Sequence, residues 1–62
     1  MSEIADKSRE RRKNLGLSQE GLAERLHVSR QTISSWENGK SAIKLENAKP
    51  LSDELKIPLD EF

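Results

Sequence analysis

The chain has no cysteine and no tyrosine, one tryptophan, one phenylalanine, one histidine and one methionine in 62 residues. Without cysteine there is no disulfide, no thiolate metal site and no cysteine nucleophile. A single histidine, His27, does not make a zinc site, and no carboxylate cluster lies near it in sequence. No apolar run approaches the ~20 residues of a membrane span, and no signal peptide is visible. The expectation is a soluble, cytoplasmic protein with no membrane partner, no cofactor, no metal and no small-molecule ligand. Net charge is also missing: 11 basic residues balance 11 acidic ones. The total therefore lacks the strong basic excess that marks many nucleic-acid binders.

What is present is charge, at 35% of residues, and a modest apolar share of 32%. A chain this short makes one domain, residues 1–62, and cannot both bury a core and enclose a deep substrate cavity. General acid–base or nucleophilic catalysis needs converging groups in a pocket. The candidates here are scattered carboxylates and one histidine, so an enzyme is not expected. The charges are unevenly placed. Residues 1–44 hold nine basic against six acidic side chains, and residues 45–62 hold two against five. The first part is a candidate phosphate-facing surface; the acidic last third keeps a protein-binding role open.

Helix formers dominate and strand alternation is absent, which predicts an all-α fold. A first helix is expected over about Glu3 to Asn14, with Ile4, Ser8, Arg11, Arg12 and Leu15 inward, ending at Gly16. Ser18 is a good N-cap for a second helix, about Gln19 to Leu26, whose apolar face is Leu22, Ala23 and Leu26. After the tight His27-Val28 connection, Ser29 caps a third helix, about Arg30 to Glu37, stopped by Asn38-Gly39. Ile33, Trp36 and Glu37 share one face, with Trp36 in the core. The other face carries Arg30, Gln31, Ser34 and Ser35, groups able to read base edges. A fourth helical region, about Leu45 to Leu55, would turn Leu45, Ala48, Leu51 and Leu55 inward. Pro50 either kinks it or sits in the first turn of a shorter helix. Residues 57–62 read as a last short helical turn. Ile57, Leu59 and Phe62 form the candidate dimer patch.

The stretch from Leu17 to Lys40, with its "GLSQ", "VSRQTIS" and "WENGK" segments, resembles the lambda repressor-like helix-turn-helix family, the Cro/C1 or XRE type. Weaker similarity continues through "LEN" to "LDEF". The resemblance implies a compact bundle of about five short helices, with the helix-turn-helix proper at about 18–37. It implies sequence-specific binding of double-stranded DNA, as a homodimer on a pseudo-palindromic operator, to regulate transcription. Repression by promoter occupancy is the first expectation, and activation through polymerase the other.

Position by position, the resemblance implies base reading by Ser29, Arg30, Gln31, Ser34 and Ser35. It implies phosphate contacts by Gln19, Thr32, Asn38 and Lys40. It implies a structural ion pair between Arg12 and Glu37, with Arg12 also near phosphate. Arginine bonds guanine and glutamine bonds adenine bidentately, so Arg30 and Gln31 are the expected specificity residues. The chain departs from the family at His27, where glycine is common, at Ser8 and Arg11, which replace apolar residues, and at Pro50. The alternative from a different class is an antitoxin-like or phage regulatory module on the same fold, whose main partner is a protein.

Overall fold

Polar caps and left-handed residues divide the chain into α1 (Glu3–Asn14), α2 (Gln19–Leu26), α3 (Arg30–Glu37) and α4 (Leu45–Leu55), followed by a 3-10 turn at Leu59–Glu61. This is the arrangement in a computed structural model, which describes residues 3–62. The first two residues of the expected 1–62 domain lie outside the described residues. The expected five helices resolve into four α-helices and one 3-10 turn. The 3-10 turn is held by two i→i+3 bonds, from the Glu61 N–H to the Pro58 carbonyl (3.0 Å) and from the Phe62 N–H to the Leu59 carbonyl (3.1 Å).

Each boundary has a local cause. In α1 the acidic Glu3 and Asp6 occupy the first turn and Arg11, Arg12 and Lys13 the last, matching the helix dipole. Ser18 caps α2 by accepting from the Gly21 N–H at 2.9 Å, and Ser29 caps α3 by accepting from the Thr32 N–H at 3.2 Å. His27 ends α2 in the left-handed region (φ 58°), where histidine is tolerated better than most residues. Gly39, at φ 72°, ends α3 without that strain.

α4 runs unbroken from Leu45 to Leu55 with Pro50 inside it. Of the two sequence-based alternatives for Pro50, the shorter helix is ruled out: no separate turn precedes it, and residues 45–48 belong to α4. The ring costs the helix one bond to the carbonyl of Glu46, an exposed residue. Burial of Ala48, Leu51 and Leu55 on the other face holds the helix through that defect.

Leu22, Ala23, Leu26, Ile33, Trp36, Leu51, Leu55 and Ile57 form the core, with Ile4, Leu17, Val28, Ile43 and Phe62 packed around it. Three sequence expectations are corrected here. Leu45 is 81% exposed, because the first residue of α4 lies one turn beyond the segment that meets the core. Leu15 is exposed rather than inward, since α1 ends at Asn14 and Leu15 already lies in the turn that follows. Ile57 is only 3% exposed, so it belongs to the core and adds nothing to a dimer patch.

α1 is held largely by polar groups. It buries only Ala5, Ser8 and Arg12. Arg11 donates from Nε to the Leu55 carbonyl (3.1 Å), satisfying the C-terminal end of α4 and explaining why a cation replaces an apolar residue there. Lys7 pairs with Glu61, and that hydrogen bond pushes the Lys7 ammonium above its ordinary 10.5. The paired ammonium therefore keeps its proton through neutral pH and gives it up only at alkaline pH.

Ser8 is buried, and its Oγ has no hydrogen-bond partner among the described residues. An unsatisfied buried hydroxyl costs about 1–3 kcal/mol, and alanine is the better helix former. Ser8→Ala should therefore stabilise the domain by about 1 kcal/mol or more, raising its Tm by about 4–8 °C in a thermal melt. An unchanged or lower Tm would show that the hydroxyl is satisfied.

Candidate nucleic-acid interface

A carboxylate at the inner end of α3 organises the site. Glu37 is 3% exposed and falls on the α3 face that also buries Ile33 and Trp36. An isolated charge there would be prohibitive, so it must be paired. Arg12 donates from Nε to Oε2 (2.7 Å) and from Nη2 to Oε1 (3.2 Å), a two-pronged contact, and its Nη1 reaches the Leu17 carbonyl at 2.8 Å. Gln19 donates from Nε2 to Oε1 at 2.9 Å. Arg9 donates from Nη2 to the Glu37 carbonyl at 2.6 Å, with its Nε 3.8 Å from Oε1. One carboxylate thus ties α1, the start of α2 and the end of α3 into a fixed angle.

The opposite face of α3 is left to solvent. Arg30 and Gln31 are exposed and make no hydrogen bond or ion pair among the described residues. Ser29 is engaged: its Oγ caps the helix and sits 2.9 Å from Thr32 Oγ1, so both hydroxyls are satisfied locally. Ser34 and Ser35 are half-buried. Ser34 Oγ accepts from Asn38 Nδ2 at 3.3 Å, and the Ser35 carbonyl accepts the Lys40 N–H at 2.9 Å. The Lys40 ammonium is exposed and unpaired among the described residues, just past the end of α3.

Gln19, at the start of α2, is joined to the end of α3 through its bond to Glu37. The proton it gives Glu37 fixes which end of its amide faces inward, and one Nε2 hydrogen remains available. Arg12 is buried, with its guanidinium bonded to the Glu37 carboxylate and to the Leu17 carbonyl. Arg9 was not expected from the sequence. Its three-residue spacing from Arg12 puts both on one face of α1, a signal that was readable.

Chemically, α3 offers donors and acceptors without an exposed acidic group. Its one carboxylate, Glu37, is buried and faces two guanidinium groups. An α-helix with its side chains is about 10–12 Å across, which fits the width of the duplex major groove. Among the described residues no group of three or more His, Cys, Asp or Glu side chains is placed to hold a metal ion. No helix is long and apolar enough to cross a membrane. A surface hollow of about 550 Å³ lies between α1 and the Lys56–Pro58 segment, and it is lined by none of the α3 residues.

This arrangement, a capped helix set across a second by a tight turn with a polar outer face, is that of a helix-turn-helix. The helix-turn-helix family matches residues 9–62, and the chain belongs to that family. It is 41% identical over 97% of its length to an HTH-type transcriptional activator, BcrR, of Enterococcus faecalis. It is 36% identical over 95% of its length to an uncharacterized transcriptional regulator in the ATPase CF(0) region of Rhodospirillum rubrum. It is 62% identical over 52% of its length to an uncharacterized HTH-type transcriptional regulator of Methanothermobacter thermautotrophicus. The chain spans 29%, 55% and 46% of these three relatives respectively. No solved structure gives a significant match.

Proposed function

We propose that this chain is a DNA-binding module of a transcriptional regulator that reads duplex DNA by laying α3 in the major groove. The observation that carries the reading is the pair Arg30 and Gln31 at the start of α3, exposed and committed to nothing in the protein. Recognition helices contact base edges through their N-terminal residues, and these two side chains suit guanine and adenine. Ser29, Ser34 and Ser35 add short-range base contacts. Thr32, Gln19, Asn38 and Lys40 set the register on the backbone.

Two copies would sit with their α3 helices about 34 Å apart on a pseudo-palindromic site. Leu59, 46% exposed, and the neighbouring Phe62 are the surface proposed for the second protomer. Repression by occupying a promoter is the proposed sign. One relative is named an activator, so a promoter fusion with the binding site upstream of, or across, the start is the direct test: loss of expression in both positions supports repression.

Binding is tested by selecting sites from a random duplex library at about 150 mM salt, where distant phosphate attraction is screened. The expected result is an inverted repeat with half-sites about ten base pairs apart. No enrichment by folded protein would overturn the reading in favour of a protein partner, for which the acidic residues 45–62 are the candidate surface.

Lys40→Ala separates backbone from base contacts. It should weaken every duplex alike and reduce the slope of log K against log salt by about 0.9, the share of one phosphate. A loss confined to one sequence would remove Lys40 from the backbone set.

A further inference from the structure

We propose that Arg9, on α1, is a DNA phosphate ligand that completes a backbone site together with Gln19. The proposal rests on the DNA-binding reading above. It adds to the interface a helix and a residue that the motif does not include.

The charge arithmetic at Glu37 motivates it. Two guanidinium groups, Arg9 and Arg12, face one carboxylate. Arg12 makes the close two-pronged pair and is buried, so it accounts for the carboxylate's charge. Arg9 stands off at 3.8 Å, with its side chain 39% exposed. The surplus positive charge of the cluster is therefore carried by Arg9, at the surface. Its nearest strong acceptor is a neutral carbonyl, that of Glu37. Asp6 and Glu10 flank it on α1 with Lys13, but neither carboxylate is within ion-pair distance of it.

Position supplies the second argument. Arg9 Nε and Gln19 Nε2 both approach the same oxygen, Glu37 Oε1. The two half-buried heads thus meet at one carboxylate oxygen, each keeping hydrogens that no group takes among the described residues. Gln19 opens α2, the helix that crosses the DNA backbone in a helix-turn-helix. A phosphate held by its remaining amide hydrogen lies beside the unneutralised guanidinium. Arg12, sealed beneath, cannot reach it. The Glu37 carbonyl anchors Arg9 without cancelling its charge, so little side-chain freedom is lost when the anion arrives.

The test is the salt dependence of duplex binding by wild type, Arg9→Gln and Arg9→Lys, with folding of each checked by circular dichroism. Arg9→Gln should lower the log–log slope by about 0.9. Its deficit relative to wild type should then shrink about 3.5-fold between 50 and 200 mM salt, equally on specific and random duplexes. Arg9→Lys should restore the slope, which a purely structural role would not predict. A wild-type slope in folded Arg9→Gln overturns the proposal while leaving the DNA reading intact. Absence of salt-dependent binding by wild type overturns both. Should Arg9→Gln fail to fold, the Arg9 Nε–H resonance of the wild-type protein decides: it shifts on adding duplex if Arg9 meets phosphate, and an unmoved signal rejects the contact.

Discussion

Glu37→Ala should cost about 3–5 kcal/mol of folding stability, the penalty for breaking a buried ion pair and stranding its partner. Arg12 is the group left behind: it is 8% exposed and anchored to the Leu17 carbonyl, so it cannot swing to water. Arg9 and Gln19 are nearer solvent and lose less. A domain of this length has roughly 3–9 kcal/mol in all, at about 0.05–0.15 kcal/mol per residue. The variant should therefore melt at least ~12 °C lower, at about 4 °C or more per kcal/mol, or be largely unfolded at 25 °C. Urea titration and a thermal scan followed by circular dichroism measure it. Replacing Arg12 as well, as Arg12→Met with Glu37→Leu, should recover much of the loss, because no buried charge then lacks a partner. A Tm within a few degrees of wild type for Glu37→Ala alone would mean the pair is not buried in solution.

The second large effect is on recognition and leaves stability alone. Arg30→Ala with Gln31→Ala should reduce preference for the selected site over random duplex by about 2–6 kcal/mol, at about 1–3 kcal/mol per bidentate contact. That is roughly 30-fold to 10⁴-fold. Adjacent readers need not act independently, so the two single variants should be measured beside the double. Both side chains are exposed and unengaged. The melting temperature should then move by no more than surface substitutions usually produce, about 0.5 kcal/mol. Competition binding with selected and random duplexes gives the ratio directly. Equal losses on both duplexes would reassign these residues to the backbone.

Much of the frame was legible because it depends on neighbours in sequence. Ser18 and Ser29 cap helices whatever lies beyond them, and His27 and Gly39 end helices through their own φ. The spacing of Ile33, Trp36 and Glu37 placed all three inward, and with them the polar outer face of α3. The candidate readers needed no more than that. The 3-10 turn was less legible, because a three-residue helix and a short α-helical turn share one pattern.

Other features required the helices to be assembled. Periodicity marked Leu45 and Ala48 alike, yet one is 81% exposed and the other 3%. Burial depends on where the partner helix stops, and no local pattern contains that. The sequence showed Pro50 as a break, but apolar contacts on the far side of α4 outweigh one lost hydrogen bond. It showed Arg11 as a misplaced cation, and the fold brings the α4 carbonyls to it. By itself, then, the sequence determined the number and limits of the main helices, their inner and outer faces and the candidate readers, all consequences of short-range stereochemistry. Only the tertiary structure decided that Arg9 and Gln19 share Glu37 with the expected Arg12. That carboxylate gathers Arg9, Arg12 and Gln19 from two other helices, 28, 25 and 18 residues away along the chain. Burying one charge forces donors together across such distances, and only the packed helices can bring them there.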